Sequence, residues 1–190
     1  MTSVLSEIGR PPPEGRKGVP IATDSRADLA LERLYHEHYV RLVRLGVLLL
    51  GGDVGRAEEV VQDAFVEVHR RWDRIEGAAV PAYLRQTVVN RCRSAHRHLR
   101  VVDRNRPEPP GPAPGADEGV LADSRRRDVL DALARLPRRQ REVLALRYYL
   151  DLSEREIAQT LQISQGAVKS HASRGAAALR DSLAGLQEDR

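Results

Sequence analysis

The sequence predicts an all-α fold of two small helical domains joined by a flexible linker. Aromatic residues make up only 4% of the 190 residues, so packed cores must consist mainly of Leu, Val and Ala, which suit helices better than sheets. Apolar residues recur at helical spacing on both sides of one stretch rich in Pro and Gly. No segment alternates with the period of a strand, so we expect helices throughout both domains.

Composition limits the class of protein and the kind of partner. Lys and Arg number 31 against 27 Asp and Glu, and the pI is about 9.6. Nearly all the positive charge is Arg, whose planar fork pairs with phosphate and carboxylate. A single cysteine, Cys92, excludes an intrachain disulfide and fits a cytoplasmic location. The N-terminus lacks the apolar stretch of a secretory signal, and residues 46–52 are far shorter than the roughly 20 residues of a membrane span. We therefore expect a soluble protein without membrane insertion.

Domain boundaries follow the distribution of Pro, Gly and charge. Residues 1–26 show no periodicity and are predicted to be a disordered leader. Residues 103–123 form the linker, because five prolines and three glycines within 104–119 prevent a persistent helix or strand. Five acids against two bases make this linker acidic within a basic protein. The first helical domain then spans residues 27–102, and the second spans residues 124–186.

Two helices open the first domain. The first carries apolar residues at helical spacing from Leu31 to Leu45 and ends before two glycines. The second, "DVGRAEEVVQDAFVEVHRRW", places Ala, Val and Phe residues on one buried stripe. Its opposite side carries an acid–amide face: Glu59, Gln62 and Asp63, flanked by Glu58 and Glu67. Taken alone, such a face is usual for any solvated surface helix.

A third helix opens at Pro81, a tolerated first-turn position, and leads into "RCRSAHRHLR" at residues 91–100. Without an acid, this stretch suits a phosphate backbone, an anionic membrane, a metal ion or a solvated surface. A metal site at Cys92, His96 and His98 is disfavoured because Cys92 falls on the apolar stripe, His98 points to another face and no fourth ligand is apparent. Membrane binding is disfavoured because the helix lacks a bulky apolar face. We predict no metal and no cofactor.

The second domain carries the spacing of a helix-turn-helix. Ser153 and Glu156 form the S-x-x-E pattern of a capping box, and a short turn carries Gln162 and Ile163. The second helix of this motif enters the DNA major groove, where Gln, Lys, Ser and Arg read base edges or hold phosphates. A helical hairpin with an ordinary polar face is the alternative. The predicted DNA contacts are Ser164, Gln165, Lys169, Ser170, His171 and Arg174.

Both domains together resemble the small, two-domain bacterial alternative sigma factors of the extracytoplasmic-function type. "LYHEHYVRLVRLGVLLLGG" looks like the start of the first sigma domain, and "AEEVVQDAFVEVHRRW" is similar to the family helix that docks on the clamp helices of the RNA polymerase β′ subunit. "PAYLRQTVVNRCRSAHRHLR" looks like the helix that meets the minus-ten promoter element. "LARLPRRQREVLALRYYLDLSEREIAQTLQISQGAVKSHASRGAAALR" resembles the domain that reads the minus-thirty-five element. The resemblance covers roughly residues 30–185.

The resemblance implies a dissociable promoter-specificity subunit that binds core RNA polymerase, through the β′ clamp helices and the β subunit, and promoter DNA. It further implies an anti-sigma factor as partner, help in melting the minus-ten region, a linker that threads toward the polymerase active-site channel, and capture of an unstacked base near the loop 72–80. Gln162 stands where the family often has glycine. The implied docking residues are Glu58, Glu59, Gln62 and Asp63. The implied minus-ten contacts are Asn90, Arg91, Arg93, Arg97 and Arg100.

A stand-alone helix-turn-helix transcriptional regulator is the alternative function. Such a regulator has no need of acids at Glu59 and Asp63, and it binds its operator without polymerase. An enzyme is not expected, because the sequence contains no P-loop, nucleophile-elbow or zinc-protease motif and no plausible cysteine nucleophile. We predict no catalytic residues, since the polymerase performs the chemistry.

Overall fold

The protein consists of helices and short connecting turns wherever the structure describes it. The structure is a computed structural model, and it describes residues 25–75, 77–102 and 119–188. Within these ranges there is no strand, and the all-α prediction is confirmed. Seven α-helices follow one another: α1 (Ser25–Leu49), α2 (Val54–Arg70), α3 (Val80–Val102), α4 (Gly119–Arg135), α5 (Arg138–Leu144), α6 (Glu154–Leu161) and α7 (Gln165–Glu188). None of these helices combines the length and apolar character needed to cross a membrane.

Helices α1 to α3 form the first lobe. Gly51 and Gly52, with φ of 69° and 97°, make the left-handed turn that separates α1 from α2. The Asp53 side chain then caps α2 by accepting a hydrogen bond from the backbone N–H of Arg56 at 2.9 Å. Two short 3₁₀ turns, Trp72–Arg74 and Gly77–Ala79, connect α2 to α3. Pro81 lies in the first turn of α3, as predicted.

The core of the first lobe forms where α1 crosses α2. At Gly46 of α1, a Cβ atom would lie 2.9 Å from Cβ of Ala57, so the close crossing requires glycine. Tyr35 stacks on Tyr39 with ring centroids 4.5 Å apart, and its ring lies 5.2 Å from Phe65 of α2. The predicted apolar stripe of α2 is buried from one end to the other: Ala57, Val60, Val61, Ala64, Phe65 and Val68.

Helices α4 to α7 form the second lobe. Helix α5 continues into one π-helical turn, Ala145–Tyr149, closed by a hydrogen bond from Leu150 N to Ala145 O at 3.3 Å. Helix α4 begins at Gly119, so residues 119–123, predicted as linker, are helical. Val129 has the helical spacing of the apolar residues Leu133 and Leu136 but is 38% exposed, because it lies one turn before the buried part of α4. The rest of the predicted linker lies outside the described residues.

The two lobes pack against each other and share one apolar core. Buried residues of α1 to α3 and of α5 to α7 belong to a single cluster. Polar contacts join the lobes at its edge: Arg41 donates to the carbonyl of Leu150 at 3.0 Å, and Arg85 donates to the Thr160 hydroxyl at 3.4 Å. Nothing in the sequence pattern predicts this closed arrangement.

Candidate nucleic-acid interface

The helix-turn-helix begins with the predicted capping box. The backbone N–H of Glu156 donates to the Ser153 hydroxyl, and the backbone N–H of Ser153 donates to the Glu156 carboxylate at 2.9 Å. The Ser153 hydroxyl also donates to that carboxylate at 2.6 Å. These hydrogen bonds lower the pKa of the Glu156 carboxyl below its ordinary value. The capping box therefore fixes the start of helix α6 and gives hydrogen-bond partners to the backbone N–H groups of Ser153 and Glu156.

The turn between α6 and α7 places a non-glycine residue in the left-handed region. Gln162 has φ 55° and ψ 51°, and the next backbone N–H, that of Ile163, donates to the Ala158 carbonyl at 3.0 Å. This is a helix C-terminus of the kind that favours glycine, because a Cβ is strained there. The glycine that the family often has at this position fits the same geometry.

The Gln162→Gly variant should be more stable than the unaltered chain, by about 1 kcal/mol in the free energy of unfolding. Relief of the strained backbone outweighs the added entropy of glycine in the unfolded chain. Urea denaturation measures the difference. Gln159→Gly is the matched control, since this exposed residue lies inside α6 and the same change there should destabilise by about 1 kcal/mol. A loss of stability at residue 162 would contradict the strain assigned to the turn.

Most of the predicted DNA contacts of the helix-turn-helix, on helix α7, are exposed to solvent. The Ser164 hydroxyl caps the helix by accepting from Ala167 N at 3.1 Å. Lys169 lies 3.7 Å from Glu154, and Arg174 Nε donates to the Ser170 carbonyl at 3.2 Å. His171 is half-buried, and its Nδ1 is buried without a hydrogen-bond partner among the described residues. The exposed side chains are Ser164, Gln165, Lys169, Ser170 and Arg174.

The predicted minus-ten residues of α3 differ in their surroundings. Asn90 is exposed. Arg91 bridges two acids of α2, with 2.8 Å to Asp63 and 3.1 Å to Glu67. Arg93 instead points toward the second lobe, where it meets a buried carboxylate. Arg97 and Arg100 lie in the last turns of α3, where side chains are outside the described residues.

A polar recess of about 350 Å³ opens beside Asn90 and Arg91, between α2 and α3. Its wall includes Tyr83 and Gln86 of α3 together with Arg71, whose guanidinium donates to the Tyr83 hydroxyl at 2.8 Å. Donors, acceptors and one aromatic ring therefore surround an open space large enough for a single planar group. The sequence-based expectation of base capture concerned the preceding loop, whereas Asn90 and Arg91 are the predicted minus-ten residues that line this recess. Tyr83, Gln86 and Asn90 follow one another at three- and four-residue spacing, so they share one face of α3.

The exposed face of α2 contains the predicted docking residues and one more. Glu59, Gln62 and Asp63 are exposed, and Val66, on the same helical face, is 48% exposed. Glu59 pairs with Arg56 at 2.9 Å. Val66 therefore adds one exposed apolar side chain to this otherwise polar face. Glu58 lies beside it and is half-buried. On α1, burial, then the neighbouring Tyr39 and, least, the charge of Glu58 raise the pKa of Tyr35 to about 12.

Cys92 is buried on α3. Burial, with the nearby negative charge of Glu142, raises the pKa of its thiol from 9.0 to about 12. The side chains of His96 and His98 lie outside the described residues. In the part of the chain that is described, no group of His, Cys, Asp and Glu side chains could hold a metal ion.

The Cys92 thiol should react slowly with Ellman's reagent in the native protein at mildly alkaline pH, and at the ordinary rate after denaturation. The raised pKa also contributes to stability. That contribution is complete below 9.0, where folded and unfolded chains both keep the proton, and is lost as pH rises toward about 12. Rapid reaction of the native thiol would contradict its burial. The Cys92→Ser variant serves as the blank.

Comparison with known proteins agrees with this arrangement. A family model described as Sigma-70 region 2 matches residues 34–101, and one described as Sigma-70, region 4 matches residues 126–179. The chain is similar to the RNA polymerase sigma-E factor of Streptomyces avermitilis, with 33% identity covering 80% of this chain and 87% of that protein. It is also 34% identical to the ECF RNA polymerase sigma factor SigL of Mycobacterium tuberculosis, covering 83% and 91%.

The chain belongs to the extracytoplasmic-function sigma factors. Solved structures share its fold: CnrH, solved with the cytosolic domain of CnrY, has a TM-score of 0.62 and 22% identity and covers 84% of this chain and 95% of its own. RpoE of Bartonella quintana, solved with the anti-sigma factor NepR, has a TM-score of 0.54 and 22% identity, covering 83% and 94%. This sigma factor is thus a promoter-specificity subunit that binds core RNA polymerase and promoter DNA.

Proposed function

We propose that this sigma factor divides its work among three surfaces. The exposed face of α2 docks on the β′ clamp helices, α3 contacts the minus-ten element, and α7 reads the minus-thirty-five element. The observation that carries this proposal is the arrangement of α7. Its start is fixed by Ser164, and Gln165, Lys169, Ser170 and Arg174 extend from it into solvent. Such side chains reach base edges and phosphates when a helix enters the major groove.

We further propose that the recess beside Asn90 receives an unpaired base of the non-template strand. Extruding a base from the stack costs a few kcal/mol. Stacking on an aromatic ring returns about 1–3 kcal/mol per base, and Tyr83 lies in the wall of the recess. Asn90 and Gln86 can add hydrogen bonds to a base edge. Arg91, already held by Asp63 and Glu67, then acts by fixing the recess rather than by holding a phosphate alone.

The proposed function also has consequences for the regulation of this sigma factor and for its location in the cell. CnrH and RpoE were both solved with a partner, and for RpoE that partner is an anti-sigma factor. We infer that an anti-sigma factor also holds this chain, that it acts in the cytoplasm beside the polymerase, and that it has no catalytic residues of its own.

In-vitro transcription tests the proposal. Purified core RNA polymerase is supplied with this chain and genomic templates, and start sites are mapped by sequencing transcript ends. Initiation at a defined set of promoters, dependent on this chain, is the expected result. Sequence-specific DNA binding without any initiation would instead favour a stand-alone helix-turn-helix regulator. The mapped promoters also provide the minus-ten and minus-thirty-five sequences for the experiments below.

A further inference from the structure

Glu142 of α5 is a buried carboxylate surrounded by arginines. Its side chain is only 3% exposed. Arg138 lies 3.6 Å from it and Arg139 lies 3.0 Å from it, and both belong to the second lobe. Arg93, which belongs to the first lobe, donates hydrogen bonds to both carboxylate oxygens of Glu142, at 2.8 Å and 3.0 Å. This two-pronged geometry is the strongest form of the Arg–carboxylate contact.

The Arg93–Glu142 ion pair joins the two lobes, but Glu142 does not depend on Arg93 alone for a partner. A buried carboxylate that lost all its partners would be strongly destabilising. Glu142, however, keeps Arg139 at 3.0 Å when the first lobe moves away, because Arg139 lies on the same helix. Arg93 regains water or another anion. Separation of the lobes therefore exposes part of the shared apolar core and breaks this ion pair, but it leaves no isolated buried charge at Glu142.

In the closed arrangement, helices α3 and α7 differ in how far their predicted DNA contacts are exposed. Arg93 of α3 is only 15% exposed and is fully engaged, with Glu142 on one side and the Asn90 side chain at 3.0 Å on the other. Helix α6 also lies against α3, through the hydrogen bond between Arg85 and Thr160. On α7, by contrast, Gln165, Lys169 and Arg174 extend into solvent. The upstream-reading helix is accessible in the same closed chain that covers α3 at Arg93.

We propose that Glu142 is a latch: its carboxylate takes the place of DNA phosphate on Arg93, helps to hold the lobes closed, and withholds Arg93 from the minus-ten strand while α7 remains able to bind. This rests on the proposed role of Arg93 in minus-ten contact. Binding of the minus-ten strand and closure are mutually exclusive, because both require the same guanidinium. Any partner that separates the lobes exposes Arg93 and completes the second DNA contact.

The test compares three variants of the full chain. Glu142→Gln removes the charge that holds Arg93. Arg41→Gln removes a second interlobe contact, the hydrogen bond to the Leu150 carbonyl, and leaves Glu142 intact, so it should shift the lobes toward the open form by a smaller amount and can be measured even if Glu142→Gln fails to fold. Arg138→Gln is the matched control, since it also faces Glu142 but lies within the second lobe. Circular dichroism melting confirms the folding of each.

Three measurements are made without polymerase. Small-angle X-ray scattering gives the radius of gyration, which should rise in Glu142→Gln and Arg41→Gln and not in Arg138→Gln. Fluorescence anisotropy with a labelled single-stranded oligonucleotide, carrying the mapped non-template minus-ten sequence, should show about tenfold tighter binding by Glu142→Gln and a smaller gain by Arg41→Gln. Affinity for a duplex carrying the mapped minus-thirty-five sequence should stay unchanged. Cys92 offers an internal probe in Arg41→Gln, because it lines the same small recess as Glu142 and Arg93 and should be alkylated faster when the lobes open.

The outcomes separate the latch from the function on which it rests. An unchanged radius of gyration in both opening variants, with normal promoter-dependent initiation, would overturn the latch alone. Open lobes without tighter binding of the oligonucleotide would overturn the claim that closure covers the minus-ten surface. Failure of promoter-specific initiation by the unaltered chain would overturn the proposed function itself, whatever the scattering shows.

Discussion

The double variant Gln62→Lys, Val66→Lys is expected to bind core RNA polymerase about thirtyfold more weakly or worse, and to lose promoter-dependent initiation accordingly. Both residues are exposed on the acid–amide face of α2, and Val66 is its exposed apolar member. Lysine in their place puts charge where an apolar group would be buried and offsets the negative charge of Glu59 and Asp63. Co-purification with core polymerase and competition against the unaltered chain measure the loss.

These positions are better targets than the acids beside them. Glu59 is paired with Arg56, and Asp63 is paired with Arg91, so changing the acids also disturbs α3 and the recess. Gln62 and Val66 avoid that ambiguity. Val129→Lys is the control, because it introduces the same charge at an exposed valine of the second lobe, 38% accessible against 48% for Val66. If the double variant binds core polymerase as tightly as Val129→Lys does, the proposal that α2 docks on the polymerase is wrong.

Removing two cations from the upstream-reading helix is the second change with a large expected effect. The double variant Lys169→Ala, Arg174→Ala should bind a duplex carrying the mapped minus-thirty-five element about thirtyfold more weakly. Each cation that neutralises a phosphate releases a counterion, so the slope of affinity against salt should also fall by about two. Fluorescence anisotropy over a salt series measures both quantities.

Arg180→Ala is the matched control for this experiment. Arg180 is an exposed arginine of the same helix, farther from the N-terminal turns that enter the groove in this motif. Its loss should change neither affinity nor salt slope by a comparable amount. If the double variant and the control weaken binding equally, general charge and not the predicted contacts accounts for attachment to DNA.

Local and periodic features of this fold could be predicted from the sequence. The buried stripe of α2 follows from the spacing of its apolar residues, since only one face of an isolated helix can be covered. The capping box at Ser153 and Glu156 depends on residues three apart, so its geometry is contained in the sequence. The α2 helix, the linker and the helix-turn-helix are not specific one by one. Their order along the chain is specific, and it indicated the family.

Contacts between distant residues could not be predicted in the same way. Arg93 and Glu142 are separated by 49 positions, and each looks like an ordinary surface residue in its own helix. Their pairing depends on how two lobes pack, for which periodicity contains no signal. Val129 shows the same limit, because spacing places it on the inward face of α4 while exposure depends on where the neighbouring helix ends.

The apolar core shared by the two lobes makes the closed form sensitive to temperature. Leu42 of the first lobe and Leu150 and Leu152 of the second belong to this shared cluster, so separating the lobes hydrates apolar surface. Hydration of such surface raises the heat capacity, and apolar attraction weakens on cooling. We therefore expect the fraction of open chains to rise on cooling, so that temperature would act on this sigma factor in addition to any partner that binds it.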